Sequence, residues 1–263
     1  MTVTGDGPAL VMVHGWGQAR QSMAPLADAL RGRHRVINID LPGHGAAKDL
    51  PGPYTFQRCM DSMAQAAQAG ADGRFALLGW SMGGVIAAMY MLEGIEPRPH
   101  SLVLLAAPAR FTAPGSAIGL GQSLAAIARL RGQMEEDHTA ALRRFIEFFF
   151  ISGEKIAPEN MAPLRAALAP PEVFPPSRQA LLSTLDQLAQ SDLTAHKAAP
   201  MAARCLIING ALDKICPKGG QRLWEKVITC PTVMTLANCG HAPHLTRLEE
   251  TSAAITNFLK GSI

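Results

Sequence analysis

The sequence predicts an α/β protein, a mostly parallel sheet flanked by helices, and three observations carry that expectation. Short apolar runs of strand length alternate with stretches of helical period, the pattern that lays helices over both faces of a parallel sheet. A Gly79-Trp80-Ser81-Met82-Gly83 motif stands where one such run gives way to an apolar helix. The alternation stops near residue 109 and resumes after about residue 203, with helical patterns alone in between.

Taken in order, Leu10-Val11-Met12-Val13 supply the first core strand, over 9–13. A helix over about 22–30, a strand over 35–40 and a helix over about 55–69 continue the alternation. Phe75-Ala76-Leu77-Leu78 give a strand over 75–79, the run Val85 to Leu92 a helix over 82–92, and residues 101–106 a further strand. Beyond the interruption, Cys205-Leu206-Ile207-Ile208-Asn209-Gly210 read as a buried strand and Thr232-Val233-Met234-Thr235-Leu236 as another, before an amphipathic helix from Leu248 to Leu259. The inserted stretch breaks at Pro and Gly, as at Ser152-Gly153 and Pro170-Pro171. It is expected to form a helical cap, 109–198, on a core of residues 1–108 and 199–263.

The chemistry begins at Ser81. Glycines two before and two after it suit a turn too tight for side chains at those positions, a nucleophile elbow that lifts the hydroxyl above the sheet. A serine hydroxyl is a weak nucleophile at neutral pH, so an imidazole must take its proton and a carboxylate must fix that imidazole's tautomer. Asp213, after the 204–209 strand, and His241, in the loop Asn238-Cys239-Gly240-His241-Ala242-Pro243, fill those roles. Both loops leave the carboxyl ends of strands and therefore open on the same edge of the sheet as Ser81. The developing oxyanion needs two backbone N–H donors. Met82, after the nucleophile, and Trp16, in the loop His14-Gly15-Trp16-Gly17 after the first strand, are the expected pair.

Other candidates carry less. Asp40 and Asp192 are rival carboxylates, one at a strand end before the elbow and one at the exit of the insertion, without the loop setting of Asp213. His14 and His44 are expected to shape the site rather than react, and His138, His196 and His244 lack metal-ligand spacing. Cys59, Cys205, Cys216, Cys230 and Cys239 are odd in number and lack C-x-x-C spacing, which argues against a disulfide framework and a zinc site and fits a reducing compartment. Cys239, two residues from His241, is a rival thiol nucleophile. Within the insertion, Leu142, Phe145, Ile146 and Phe149 follow helical spacing and read as a packing stripe. Phe148 and Phe150 fall outside it and are candidates to line an acyl tunnel.

From residue 8 onward the chain resembles the α/β-hydrolases, with His14-Gly15-Trp16-Gly17, Asp40-Leu41-Pro42-Gly43-His44-Gly45, the elbow, and the Asp213 and His241 loops in order. More narrowly it is similar to the biotin-pathway esterases that remove the methyl group from pimeloyl-acyl carrier protein methyl ester. The tryptophans of the first loop and the elbow, with His241-Ala242-Pro243, carry that likeness. The resemblance implies a carboxylic ester hydrolase without cofactor or metal, acting on a small-molecule ester, and in such relatives cap arginines receive an acidic acyl carrier protein. Here Arg144 matches them and Arg165 is a further candidate, while Arg143 can pair with Glu147 one helical turn on, which leaves an ordinary solvated face as the other reading. Three departures stand out. Only Met1 to Asp6 precede the first turn, so the leading hairpin of relatives is short or missing; Ala46-Ala47 replace the usual serine; and His244-Leu245-Thr246-Arg247 follow the histidine motif.

Composition bounds the rest. At 263 residues and 48% apolar content the chain can bury one large core without a covalent staple. A net charge of +3 without basic runs argues against nucleic-acid binding, and strand-length apolar runs argue against a membrane span. The N-terminus has no charged segment leading into a hydrophobic stretch, so a cytoplasmic location is expected. Elbow and triad do not report substrate, which leaves other small esters, lactones and carbon–carbon bonds open, and a ligand receptor with a vestigial triad is the reading from a different class.

Overall fold

A single sheet of seven strands organises the computed structural model, which describes residues 1–260 apart from 114, 116–118, 155, 157, 159–175, 197–200 and 202. Arg165 and the Pro170-Pro171 pair lie outside the described residues. The strands are β1 (Thr2–Thr4), β2 (Ala9–Val13), β3 (Arg35–Ile39), β4 (Phe75–Trp80), β5 (Ser101–Leu105), β6 (Arg204–Gly210) and β7 (Thr232–Leu236), in the order β1-β3-β2-β4-β5-β6-β7. From β3 through β7 neighbours run parallel, and β1 pairs antiparallel with β3. β2 and β4 are buried along their whole length, as strands covered on both faces must be, which is why they read as unbroken apolar runs. β7 lies at an edge and is mostly exposed.

The leading strand is short rather than missing. Thr2–Thr4 are exposed and add to the edge of β3, Val3 opposite Ile37, instead of forming a hairpin with β2.

Strand order places the site. The chain steps from β2 to β3 in one direction and then crosses to β4 in the other, so the order reverses between β2 and β4, with Val13 in register with Gly79. Loops leaving the carboxyl ends of these two neighbours diverge and open a crevice, the usual binding position in open α/β sheets. Right-handed crossovers in opposite directions put α1 (Ala24–Leu30) and α2 (Phe56–Gly70) on opposite faces. α8 (Leu248–Lys260) packs beside α1, and α3 (Met82–Leu92) beside α2. α2 is amphipathic, burying Phe56, Cys59, Met60, Met63 and Ala67, and the Thr55 side chain caps it by accepting the Arg58 N–H at 3.2 Å. That cap contributes about 1 kcal/mol. α3 is buried nearly all round, which explains its lack of polar face.

Between β5 and β6 the named elements are helical: α4 (Leu124–Glu147) and α5 (Arg178–Gln190), which pack together. Asp137 interrupts α4 at φ −148°, ψ 93°, and its carboxylate accepts the Ala140 N–H at 3.0 Å, so it caps the restarted half. α5 is tied to the sheet domain. Ser177 N–H donates to the Gly43 carbonyl at 2.7 Å, Trp16 Nε1–H to the Leu181 carbonyl at 3.0 Å, and Gln187 bonds the backbone of both Tyr54 and Phe56. Short helices α6 (Lys218–Gln221) and α7 (Pro243–Thr246) follow β6 and the histidine loop. Among the described residues no helix is long and apolar enough to cross a membrane. All five cysteines are free, and burial pushes the thiols of Cys59, Cys205 and Cys239 up to about 12.

Candidate active site

Ser81 stands between β4 and α3 at φ 54°, ψ −120°, a conformation that a residue with a side chain adopts only when its surroundings force it. Those surroundings are legible in the glycines. A Cβ on Gly79 would lie 2.3 Å from the Gly83 carbonyl oxygen, and one on Gly83 would lie 2.5 Å from that of His14. Strand, turn and helix approach so closely that only hydrogens fit. The Ser81 N–H donates to Leu105 of β5 at 2.8 Å and pins the turn to the sheet.

His241 joins the other two groups. Its Nδ1–H donates to Asp213 Oδ2 at 2.7 Å, which leaves Nε2 to accept from Ser81 Oγ at 3.0 Å. The second carboxylate oxygen of Asp213 accepts the N–H groups of Ile215 and Cys216, both at 2.8 Å, fixing its plane. All three residues are buried. The histidine backbone is held as firmly, since its N–H donates to the Phe149 carbonyl at 2.8 Å and its carbonyl accepts Trp80 Nε1–H at 2.9 Å.

Met82 opens α3, so its N–H is among those a helix leaves without an intrahelical acceptor. The loop after β2 turns tightly, Gln18 N–H to Gly15 carbonyl at 3.2 Å, and a Cβ on Gly15 would lie 3.3 Å from that of Ser81. Trp16 thus belongs to a turn packed on Ser81. His14 braces this turn, Nδ1–H donating to its neighbour's carbonyl at 2.8 Å and Nε2 accepting the Leu41 N–H at 3.0 Å, and burial lowers its pKa. His44 and His244 are fully buried, and both are pushed down to about 3, first by desolvation and next by the neighbouring histidines His14 and His241 respectively.

The rival groups are engaged elsewhere. Asp40 pairs with the Arg20 guanidinium and accepts the N–H groups of Arg20 and Ala46, holding its own loop. Asp192 accepts from Thr194 N–H and pairs with Arg110 at 3.5 Å. Cys239 is buried with a neutral thiol 3.6 Å from the Thr246 hydroxyl. Asp213, Cys216 and His241 are the one group among the described residues whose ligand atoms lie close enough to hold a metal, all within 4.8 Å. They suit one poorly, because Asp213 is committed to His241 and burial holds the Cys216 thiol protonated.

A groove of about 490 Å³ runs along α4, lined by Phe111, Ile127, Leu130, Phe145, Phe148 and Ile215. Three cations, Arg129, Arg144 and Lys214, and one carboxylate, Glu147, also border it. Two of its lining residues touch the site: Phe145 lies edge-on to Trp16 at 5.0 Å, and the Ile215 N–H donates to Asp213 at 2.8 Å. Phe148 is half in solvent, at 55% exposure, whereas Phe150 is not among the lining residues and rests 6.4 Å from the Phe149 ring. Phe149, from the expected packing stripe, packs on Trp80 and His241. Neither its carbonyl nor Glu154, which accepts the Gly240 N–H at 3.3 Å, carried any signal in the sequence.

Fold and geometry together define a class, and the chain belongs to it: residues 10–254 match the alpha/beta hydrolase family. Within that family it is 30% identical to the pimeloyl-[acyl-carrier protein] methyl ester esterase of Nitrosomonas europaea over 94% of each chain. It is 29% identical to the protein of the same name from Xanthomonas oryzae, covering 98% of this chain and 97% of the other. Among solved structures, an esterase from Exiguobacterium antarcticum superposes with a TM-score of 0.82 at 22% identity, covering 98% of this chain and 94% of that one. An enol-lactonase from Burkholderia xenovorans superposes at 0.81 and 18%, covering 98% and 95%. These two likenesses are of fold.

Proposed function

We propose that this chain is a serine carboxylesterase of biotin synthesis that hydrolyses pimeloyl-[acyl-carrier protein] methyl ester, with residues 109–198 as a cap over Ser81, His241 and Asp213. The observation that carries the chemistry is the continuous hydrogen-bonded relay from Ser81 Oγ through His241 to Asp213. His241 Nε2 takes the hydroxyl proton as Ser81 Oγ attacks the ester carbonyl, and the N–H groups of Trp16 and Met82 receive the oxyanion. Collapse breaks the bond to the methoxy oxygen, and His241 returns the proton to release methanol. A water molecule, giving a proton to His241 Nε2, then attacks the acyl-serine; the carbon–Oγ bond breaks, His241 returns its proton to Ser81 Oγ, and the acid leaves as its carboxylate. The residues present supply every proton transfer in this sequence, so it calls for no cofactor.

The substrate assignment rests on the relatives' names and on the groove, whose apolar walls suit a methylene chain and whose bordering cations suit an acidic carrier protein. The test is turnover of carrier-bound pimeloyl methyl ester against a short free ester. Arg144→Glu with Arg129→Glu is expected to raise KM for the carrier-bound ester about tenfold, as charge reversal at an interface rim does, and to leave the free ester unchanged. Equal turnover of both esters with no response to charge reversal would leave a general small-ester hydrolase.

Chain-length preference follows from the same groove. Each methylene that a wild-type wall buries contributes about 0.8 kcal/mol, roughly fourfold in kcat/KM. Phe148→Ala should flatten the rise in kcat/KM across free esters of two to eight carbons, and Phe150→Ala should not. An unaltered profile in Phe148→Ala takes the acyl chain out of this groove.

A further inference from the structure

The loop that carries His241 is gripped from two sides. On the core side a Cβ on Gly210, the last residue of β6, would lie 1.9 Å from the Gly240 carbonyl oxygen, and Leu212 N–H donates to the Cys239 carbonyl at 3.0 Å. On the cap side two successive N–H groups of the loop, those of Gly240 and His241, find their acceptors in the segment just after α4. His241 N–H goes to the Phe149 carbonyl and Gly240 N–H to Glu154 Oε1. A Cβ on Gly240 would lie 2.4 Å from that Phe149 oxygen, so the approach is as close as backbone allows.

On the core side Trp80 Nε1–H donates to the His241 carbonyl at 2.9 Å, while on the cap side the side chain in this grip is that of Glu154. Its other oxygen accepts the Ile151 N–H at 3.2 Å while its own N–H donates to the Ile151 carbonyl at 3.2 Å. One carboxylate thus closes the turn that follows α4 and reaches across to the histidine loop. Phe145 and Phe148, which line the groove, lie within ten residues of it on the same stretch of chain.

We infer that Glu154 is a positioning residue, which locks the cap's 149–154 turn against the Gly240-His241 backbone and thereby holds His241 Nε2 on Ser81. The inference rests on the triad as assigned above. A proton relay tolerates little displacement, since about 1 Å of misplacement lowers a rate on the order of a hundredfold. Binding in the groove, by contrast, does not involve Glu154.

The Glu154→Ala variant should therefore lose about ten- to a hundredfold in kcat on a short free ester while KM stays within about twofold. Labelling by a fluorophosphonate should slow in parallel, and amide hydrogen exchange at Gly240 and His241 should quicken. Glu154→Gln retains one acceptor oxygen and should restore most of the rate, which also answers the case in which the alanine variant folds poorly. Wild-type kcat in Glu154→Ala, a change confined to KM, or a fall in kcat with unchanged exchange at Gly240 and His241 would each overturn the inference. Failure of the triad itself reads differently: Ser81→Ala would then keep its turnover whatever residue 154 is.

Discussion

Ser81→Ala and His241→Ala are each expected to lower kcat by about 10⁶-fold, and Asp213→Asn by about 10⁴-fold. The first leaves no nucleophile and the second no group to take its proton, so neither variant forms an acyl-enzyme. The asparagine variant differs in kind. Its amide oxygen can still accept the Ile215 and Cys216 N–H groups that orient residue 213, so the loop keeps its shape. Its NH₂, however, would face His241 Nδ1 as a donor, which forces the proton onto Nε2 and turns the base away from Ser81 Oγ. Active-site labelling with a fluorophosphonate, followed by single-turnover kinetics, separates the three. Labelling of Ser81→Ala at the wild-type rate would sink the assignment.

Acid should destabilise the fold well before the carboxylates titrate. His44 and His244 have folded-state pKa values of about 3 against 6.5 unfolded, because burial excludes the charged imidazole. Their contribution is complete above pH 6.5 and is lost as pH falls toward 3, because over that interval the unfolded chain binds protons that the folded chain refuses. At pH 5 each has given up about 2 kcal/mol, so the pair lowers stability by about 4 kcal/mol relative to pH 7. The lowered pKa of His14 acts in the same direction. Against a total of about 5–15 kcal/mol this is a large fraction. Urea unfolding at pH 7 and pH 5 should show the midpoint falling steeply, and a midpoint that does not move contradicts the burial argument.

The amino-acid sequence by itself determined the six parallel strands, the main helices that flank them and the place of Ser81 at the turn from strand to helix. Those features are written in local periodicity and in residue types that answer local demands. β2 and β4 are buried on both faces, so they read as unbroken apolar runs, and Gly79 and Gly83 are glycine because a Cβ would strike backbone at 2.3 and 2.5 Å. Asp213 and His241 were legible because both follow strands of one parallel sheet, which brings strand-end loops to a common edge. Tertiary structure alone decided the rest. It set β1 against β3 instead of β2, turned Asp40 to Arg20, and brought Phe145 onto Trp16. It also chose the Phe149 carbonyl as the acceptor for His241, a choice invisible in sequence because every residue carries the same backbone oxygen. Glu154 is equally silent until the chain has folded, since a glutamate in a polar turn looks like solvated charge and only the approach of Gly240, 86 residues away, gives its second oxygen a partner.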